Sequence, residues 1–141
     1  MSYREALIAK ALKQGCGVEG QPLPAVSLED FFVENDDLGS IGCNLEPHPG
    51  IPRFYQTLLS IRDRESVQDV LVEINEIEVS DQGMWPFSER VYFLTRASKA
   101  EVATWMEELE PDSIAEGYMF GIPAAAPELL PGMRVLNAWW D

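Results

Sequence analysis

The segment VQDVLVEINEIEV, residues 67–79, decides the fold class because its apolar residues alternate with polar ones. Val70, Val72 and Ile74 fall on one face of an extended chain, as in a half-buried β-strand. The apolar residues that follow resume the alternation out of phase. We therefore predict a strand with one extra residue, a β-bulge near Asn75–Glu76.

Two further strands are predicted from composition. The segment RVYFLT, residues 90–95, is rich in β-branched and aromatic residues. Residues 80–88 contain a glycine and Pro86, so they form a connection, and we expect the two central strands to be antiparallel neighbours. Residues 133–140 form a C-terminal strand. Because it follows a helix, this strand is able to lie parallel to one of the others.

Four segments show helical periodicity or helix-start signals. Met1–Gln14 places apolar side chains on one stripe and is followed by two glycines. Ser27 is suited to cap a short helix, and Pro52 stands at the first turn of another that ends near Arg62. Ser98 begins a capping box that precedes apolar residues at helical spacing, which is the strongest helix signal in the chain.

The order of these elements, α-α-α-β-β-α-β, predicts an α+β fold in which about four helices cover one side of a sheet of at least three strands. A chain of 141 residues without repeats suits a single domain, residues 1–141. The N-terminal residues show no signal-peptide pattern, and no segment approaches the length of a membrane-spanning helix. We expect a cytoplasmic protein with reduced thiols at Cys16 and Cys43.

The charged residues are strongly unbalanced, with 24 Asp and Glu against 10 Lys and Arg and a net charge of −14. Nucleic-acid-binding and anionic-membrane-binding modules need a basic surface, so the composition argues against both classes. Three blocks of sequence carry acids and no base: residues 19–46, 65–81 and 101–128. They predict a surface that attracts a basic protein. The alternative is that these acids only keep the domain soluble and monomeric.

Residues suited to catalysis are few. His48 is the single histidine and stands between two prolines. A nucleophilic pair with Cys43 is one interpretation, and a structural role in a loop is the simpler one. One histidine and two separated cysteines do not make a tetrahedral metal site, and the acids after Glu34 lack the spacing of a calcium loop. We expect no catalytic residue, no metal, no cofactor and no enzymatic activity.

Two aromatic residues, Tyr118 and Phe120, lie beside an acidic block in a segment rich in proline and glycine. Large aromatics with a charged rim are typical of a protein-binding hot spot. An equal alternative is that both side chains fold back over the sheet. The candidate partner-binding residues are these two aromatics and the acids Asp36, Asp37, Glu73, Glu76, Glu78, Glu107, Glu108, Glu110, Asp112 and Glu116.

Several segments, within roughly residues 28–141, resemble a set of small bacterial proteins. They are Asn35–Leu45 with Pro47–Gly50, Trp85–Ser88 leading into Val91–Thr95, and the C-terminal stretches Pro123–Pro127, Pro131–Arg134 and Trp139–Asp141. Some members of the set resemble the immunity proteins encoded beside contact-dependent growth inhibition toxins. This resemblance implies a cytoplasmic protein, not an enzyme, that binds the toxin domain of its cognate system, often a basic nuclease.

We therefore expect an immunity-type protein that neutralises a basic toxin domain through an acidic surface. An acidic adaptor or regulatory domain with a non-toxin partner is the alternative, and an enzyme that uses Cys43 and His48 is a third interpretation. The identity of a captured partner separates the first two. Unchanged biological behaviour after replacement of His48 with alanine would remove the third.

Overall fold

A five-stranded antiparallel sheet forms the centre of the computed structural model, which describes residues 1–141. Its spatial order is β1-β2-β3-β5-β4. The strands are β1 (Ala25–Ser27), β2 (Val67–Glu73), β3 (Arg90–Thr95), β4 (Ser113–Glu116) and β5 (Arg134–Trp139). The α+β prediction with at least three strands is confirmed, and β2 and β3 are antiparallel neighbours as expected.

Four α-helices accompany the sheet, in the predicted order. They are α1 (Tyr3–Lys13), α2 (Leu28–Phe32), α3 (Ile51–Arg62) and α4 (Lys99–Trp105), and 3-10 helices occur at Leu38–Ser40 and Glu107–Leu109. The predicted caps are present, since the Ser27 hydroxyl accepts from the Asp30 amide and Ser98 forms a capping box with Glu101. No helix has both the length and the apolar composition needed to cross a membrane.

The structure differs from the prediction at three places in the sheet. β1 and β4 were not predicted, because three and four residues are too few to show a period. β2 ends at Glu73, and it contains an unpredicted register shift between Val67 and Asp69. Near the predicted bulge, the N–H groups of Asn75 and Glu76 both donate to the Phe87 carbonyl, at 2.8 and 3.4 Å, which is the hydrogen-bond pattern of a β-bulge. β5 is antiparallel to both of its neighbours, because β4 takes the direction of β3 after α4 and β5 returns between them.

The main core lies between the sheet and the helices. Side chains from all four helices meet alternate residues of the strands, among them Val72, Phe93 and Leu136. The largest buried side chains on this side include Phe31, Phe54 and Trp140. The predicted placement of the helices on one side of the sheet is therefore confirmed.

The opposite face of the sheet is covered by the segment 117–133, which contains no helix or strand. Tyr92 and Leu94 lie under this segment in a smaller apolar cluster. Gln68 of β2 holds the segment through its side-chain amide, which donates to the Glu128 carbonyl at 2.9 Å and accepts from the Leu130 N–H at 3.0 Å. Both faces of the central strands are consequently shielded from solvent.

Candidate functional site

One end of the sheet collects acidic residues from three distant parts of the chain. The register places the last residues of β2 and β5 beside the first residues of β1, β3 and β4. We call the carboxylates in the segments around this end the acidic end. They are Asp36, Asp37, Glu76, Glu78, Glu107, Glu108, Glu110 and Asp112, and all are exposed except Asp37, which is half-buried.

The first and second acidic blocks meet where Asp37 contacts the connection between β2 and β3. The Asp37 carboxylate accepts from the Trp85 N–H at 2.9 Å. Asp37 and Glu76 then line the same surface cleft of about 290 Å³. Residues about forty positions apart in the sequence therefore present their charges to one patch of solvent.

The first and third blocks meet on the other side of this end. The Asn44 side-chain amide donates to the Asp112 carboxylate at 3.1 Å. In between, the Ser88 N–H donates to the Ser40 carbonyl at 2.8 Å. Segment 36–46 therefore crosses the end of the sheet and joins the connection after β2 to the segment before β4.

Arg4 supports the acidic end without neutralising a carboxylate. Its guanidinium donates to the main-chain carbonyls of Glu78, Asp81 and Met84, at 2.6, 2.8 and 2.7 Å. Hydrogen bonds from Ser80 hold the pKa of Glu78 below its ordinary value. The charge on Glu78 is therefore kept, in a loop whose main chain is anchored to α1.

The acids before β4 are positioned by the C-terminus of the chain. The indole N–H of Trp140, which is 1% exposed, donates to the Leu109 carbonyl at 2.8 Å. Glu108 pairs with Arg53 at 2.9 Å, but both side chains are more than half exposed, so this pair adds little stability. The other carboxylates of the segment have no basic partner, and the Asp112 carboxylate accepts from the Asp141 N–H at 2.6 Å as well as from Asn44.

The opposite end of the sheet carries half of the ten basic residues. α3 ends there, β3 leads into α4 there, and β5 begins there. The basic residues at this end are Arg62, Arg64, Arg96, Lys99 and Arg134. Arg62 and Arg96 pair there with Glu29 and Glu65, so this end carries less negative charge than the acidic end, and the molecule has an electric dipole in addition to its negative net charge.

Glu73 lies in the interior, although the sequence placed it among the surface acids. It is 1% exposed and accepts hydrogen bonds from the hydroxyl of Tyr92 and the side chain of Asn75. Its carboxylate is 3.5 Å from the Arg90 Nε, and Arg90 also donates to the Asn137 side chain at 2.6 Å. Glu73 is therefore the centre of a buried polar network and is withdrawn from the partner-binding set.

Arg90, Tyr92 and Asn137 are functional candidates that the sequence analysis missed. The composition of β3 could have pointed to them, because apolar residues occupy consecutive positions of this strand and therefore both of its faces. A strand of that kind needs cover on both sides, and the acid opposite it on β2 must then be buried.

Tyr118 and Phe120 divide between the two expected roles. Tyr118 folds back over the sheet, with its ring centroid 4.9 Å from that of Tyr92. The Tyr92 hydroxyl also accepts from the Met119 N–H at 3.2 Å. Phe120 is 49% exposed, and its ring centroid lies 5.8 Å from the Arg90 guanidinium. Phe120 remains accessible to a partner, whereas Tyr118 supports the segment that carries it.

Glu116 lies apart from the other acids. It is the last residue of β4, opposite Leu136, and it is exposed at the lateral edge of the sheet. It therefore belongs to the strand edge and not to the acidic end.

His48 has both ring nitrogens occupied by main-chain groups. The Gly50 N–H donates to Nδ1 at 2.8 Å, so Nε2 carries the proton and donates to the Ile41 carbonyl at 2.8 Å. Cys43 is exposed, and Cys16 is half-buried with its thiol pKa raised by burial. No three His, Cys, Asp or Glu side chains come together as a metal-binding group. The geometry gives His48 a structural role in its loop.

We expect the free energy of unfolding to depend on pH through Glu73. Burial raises the pKa of its carboxyl, so the folded protein keeps the proton where the unfolded chain has lost it. Stability must then fall as pH rises from the ordinary glutamate pKa through the raised one. Urea unfolding of the wild type and Glu73→Gln over roughly pH 4 to 8 measures this, and a pH-independent difference between them would contradict it.

Comparison with known proteins places the chain in a bacterial family. A model described as the Uncharacterized protein YfbO family matches residues 2–138. A relative from Escherichia coli (strain K12), described as Uncharacterized protein YfbO, is 42% identical over 121 residues, which is 85% of this chain and 84% of the relative. No solved structure gives a significant match. The resemblance to small bacterial proteins is thereby confirmed at this level, and the chain belongs to the Uncharacterized protein YfbO family.

Proposed function

We propose that this protein binds a basic protein domain through the acidic end, and that this domain is a toxin which the binding neutralises. The observation that carries the proposal is the meeting of three acidic blocks at one end of the sheet while half of the basic residues lie at the other. A surface with one sign of charge steers a partner of opposite sign into contact, and it raises association rates by roughly 10–1000-fold.

Two backbone conformations support a role for acids at this end and next to it, since Glu110 belongs to the acidic end and Glu34 lies two residues before Asp36. Glu34 and Glu110 have φ angles of 65° and 50°, in the left-handed region where glycine is favoured. Each costs on the order of 1 kcal/mol relative to an unstrained residue. Carboxylates kept at such positions are better explained by a demand for charge at those sites than by the needs of the turn.

The resemblance of several segments to immunity proteins of contact-dependent growth inhibition systems directs the proposal to a toxin. An immunity protein needs a surface complementary to its toxin and no chemistry of its own, and a basic nuclease domain is complementary to the acidic end. The structural role of His48 agrees with a binding function. An adaptor with a basic housekeeping partner would use the same surface, so the identity of the partner decides between the two.

Capture of the partner tests this directly. The chain, tagged at its N-terminus, is expressed in its native host with its neighbouring genes and eluted in a salt gradient. Elution of a stoichiometric basic toxin domain, together with protection of toxin-expressing cells by this chain, is the expected result. A basic housekeeping protein in place of the toxin would instead establish the adaptor function.

The charge reversal Asp36→Lys with Glu76→Lys should slow association with the captured domain by about 10–100-fold at low salt, because both residues lie at the acidic end. The matched control is Asp63→Lys with Glu128→Lys, which changes the net charge equally outside this end. All four side chains are exposed and free of hydrogen bonds. Stopped-flow mixing measures the rates. Equal slowing by both pairs would show that net charge alone matters.

A further inference from the structure

The two edge strands of the sheet, β1 and β4, differ in whether their outward-facing main-chain groups are hydrogen-bonded. At β1, the Ile74 N–H donates to the Pro24 carbonyl at 2.8 Å, so the main chain of Ala25 faces away from β2 by the alternation of an antiparallel ladder. Gln14 of α1 occupies these outward groups. Its side chain accepts from the Ala25 N–H at 3.2 Å and donates to the Ala25 carbonyl at 3.0 Å. The β1 edge is thus capped by an amide that imitates a strand residue.

The β4 edge has no such cap. The Gly117 N–H donates to the Val135 carbonyl at 2.9 Å, and Ala115 is opposite Asn137. By the same alternation, the N–H and C=O groups of Ile114 and Glu116 face away from β5. No turn, loop or side chain of the protein bonds to them. The edge offers two donors and two acceptors, which is the template on which a further strand pairs.

A groove of about 750 Å³ runs between this edge and α4. Its α4 wall contains the small residues Ala100 and Ala103, which leave room for an added chain. Glu107, Glu110 and Asp112 line the groove against one base, Lys99. Glu116, on β4 itself, adds a further negative charge.

We propose that the β4 edge binds an extended, lysine- or arginine-bearing segment of a partner protein by β-strand addition. The main-chain groups of Ile114 and Glu116 supply the pairing, and the acids of the groove select a basic chain. A second copy of this protein fits less well, because edge-to-edge pairing would bring its own Glu116 and groove acids against the same charges. The inference takes from the proposed function only that the partner is basic.

The test uses a capped peptide of about six residues in which valine and lysine alternate, added to the full chain. Amide hydrogen exchange at Ile114 and Glu116 should slow by about tenfold when the free peptide is at ten times its Kd, because exchange then requires dissociation. The Ala25 amide, already bonded to Gln14, should not change. A peptide with glutamate in place of lysine should give no protection.

Glu116→Pro removes one outward donor without loss of a ladder bond, and it should weaken peptide binding by about tenfold. Glu116→Gln keeps the donor and removes only an exposed charge, so it should weaken binding by about two- to threefold. Peptides methylated on alternate main-chain nitrogens supply the same comparison on wild-type protein, should the proline variant fail to fold. They should lose binding when the methylated face is the one that pairs.

Three results would overturn the inference. Equal loss in Glu116→Pro and Glu116→Gln, or peptide binding without protection of Ile114 and Glu116, would mean charge attraction without strand pairing. Protection that rises with protein concentration before peptide is added would identify a second copy as the occupant. The outcome is separable from that of Asp36→Lys with Glu76→Lys, because those residues do not line the β4 groove. Either proposal is therefore able to fail alone.

Discussion

Replacement of Glu73 with alanine should lower the free energy of unfolding by about 3–5 kcal/mol, because it leaves a buried cation without its partner. The side chains of Glu73 and Arg90 are 1% and 9% exposed. Arg90 Nε makes no hydrogen bond and has only the charge of Glu73 at 3.5 Å to compensate its burial, and the Tyr92 hydroxyl would lose the carboxylate it donates to. Each of these groups would then bear its desolvation cost uncompensated. Denaturant unfolding at neutral pH measures the loss.

Two controls separate the charge from the packing. Glu73→Gln keeps the shape and an acceptor for Tyr92 but removes the charge opposite Arg90, so the loss that it shares with Glu73→Ala measures the charge. Glu73→Met combined with Arg90→Met removes both buried charges together, so it should be more stable than Glu73→Ala, with a remaining loss from the Tyr92 hydroxyl and the Asn137 side chain. A Glu73→Ala variant as stable as the double variant would show that the ion pair carries no such weight.

The same network has a functional consequence, because it holds the segment that presents Phe120. The Met119 N–H and the Gly117 carbonyl are bonded to Tyr92 and Asn137, and both of these side chains belong to the network around Glu73. Loss of Glu73 should therefore loosen residues 117–121 before the rest of the sheet. We therefore expect Glu73, although buried, to act as a positioning residue for the exposed aromatic.

The long elements of the fold could be predicted from the sequence, while the edges of the sheet could not. The alternation in β2, the composition of β3 and the caps at Ser27 and Ser98 are local signals, and the structure contains each of them. β1 and β4 are defined by their neighbours, since three or four residues adopt a strand only where a partner strand is present. The pairing that creates them is non-local.

The candidate site shows the same division. The acid blocks were visible as sequence, but their meeting depends on contacts such as Asn44 with Asp112, which are 68 residues apart. Glu73 was wrongly predicted to be exposed, because it alternates with the core residue Val72 and the alternation assigns it to the solvent-facing side of the sheet. The segment 117–133 covers that face, and its proline- and glycine-rich composition gives no period from which to predict where it lies.

Phe54→Ala should be comparably costly, at about 3–5 kcal/mol, because it opens a cavity at the junction that carries the first acidic block. Phe54 is fully buried, with its ring centroid 5.4 Å from those of both His48 and Trp140. Gly42 packs directly on the ring: its φ is +63°, and a Cβ there would lie 2.6 Å from Phe54 Cζ. Thermal or urea unfolding measures the loss, and Phe54→Leu should lose less because it leaves a smaller void.

Leu58→Ala is the control for the loss of stability that Phe54→Ala causes. Leu58 is equally buried one turn later on α3, and its loss should cost about 2–5 kcal/mol. Phe54 contacts Gly42 within segment 36–46 and His48 in the loop that follows it. Phe54→Ala should therefore speed hydrogen exchange of the Ser88 amide, which is bonded to Ser40, and slow partner association under conditions where both variants are folded. A local role for Phe54 requires Phe54→Ala and Leu58→Ala to differ in both measurements. If the two variants behaved alike, the placement of the acids would depend on the global stability of the protein.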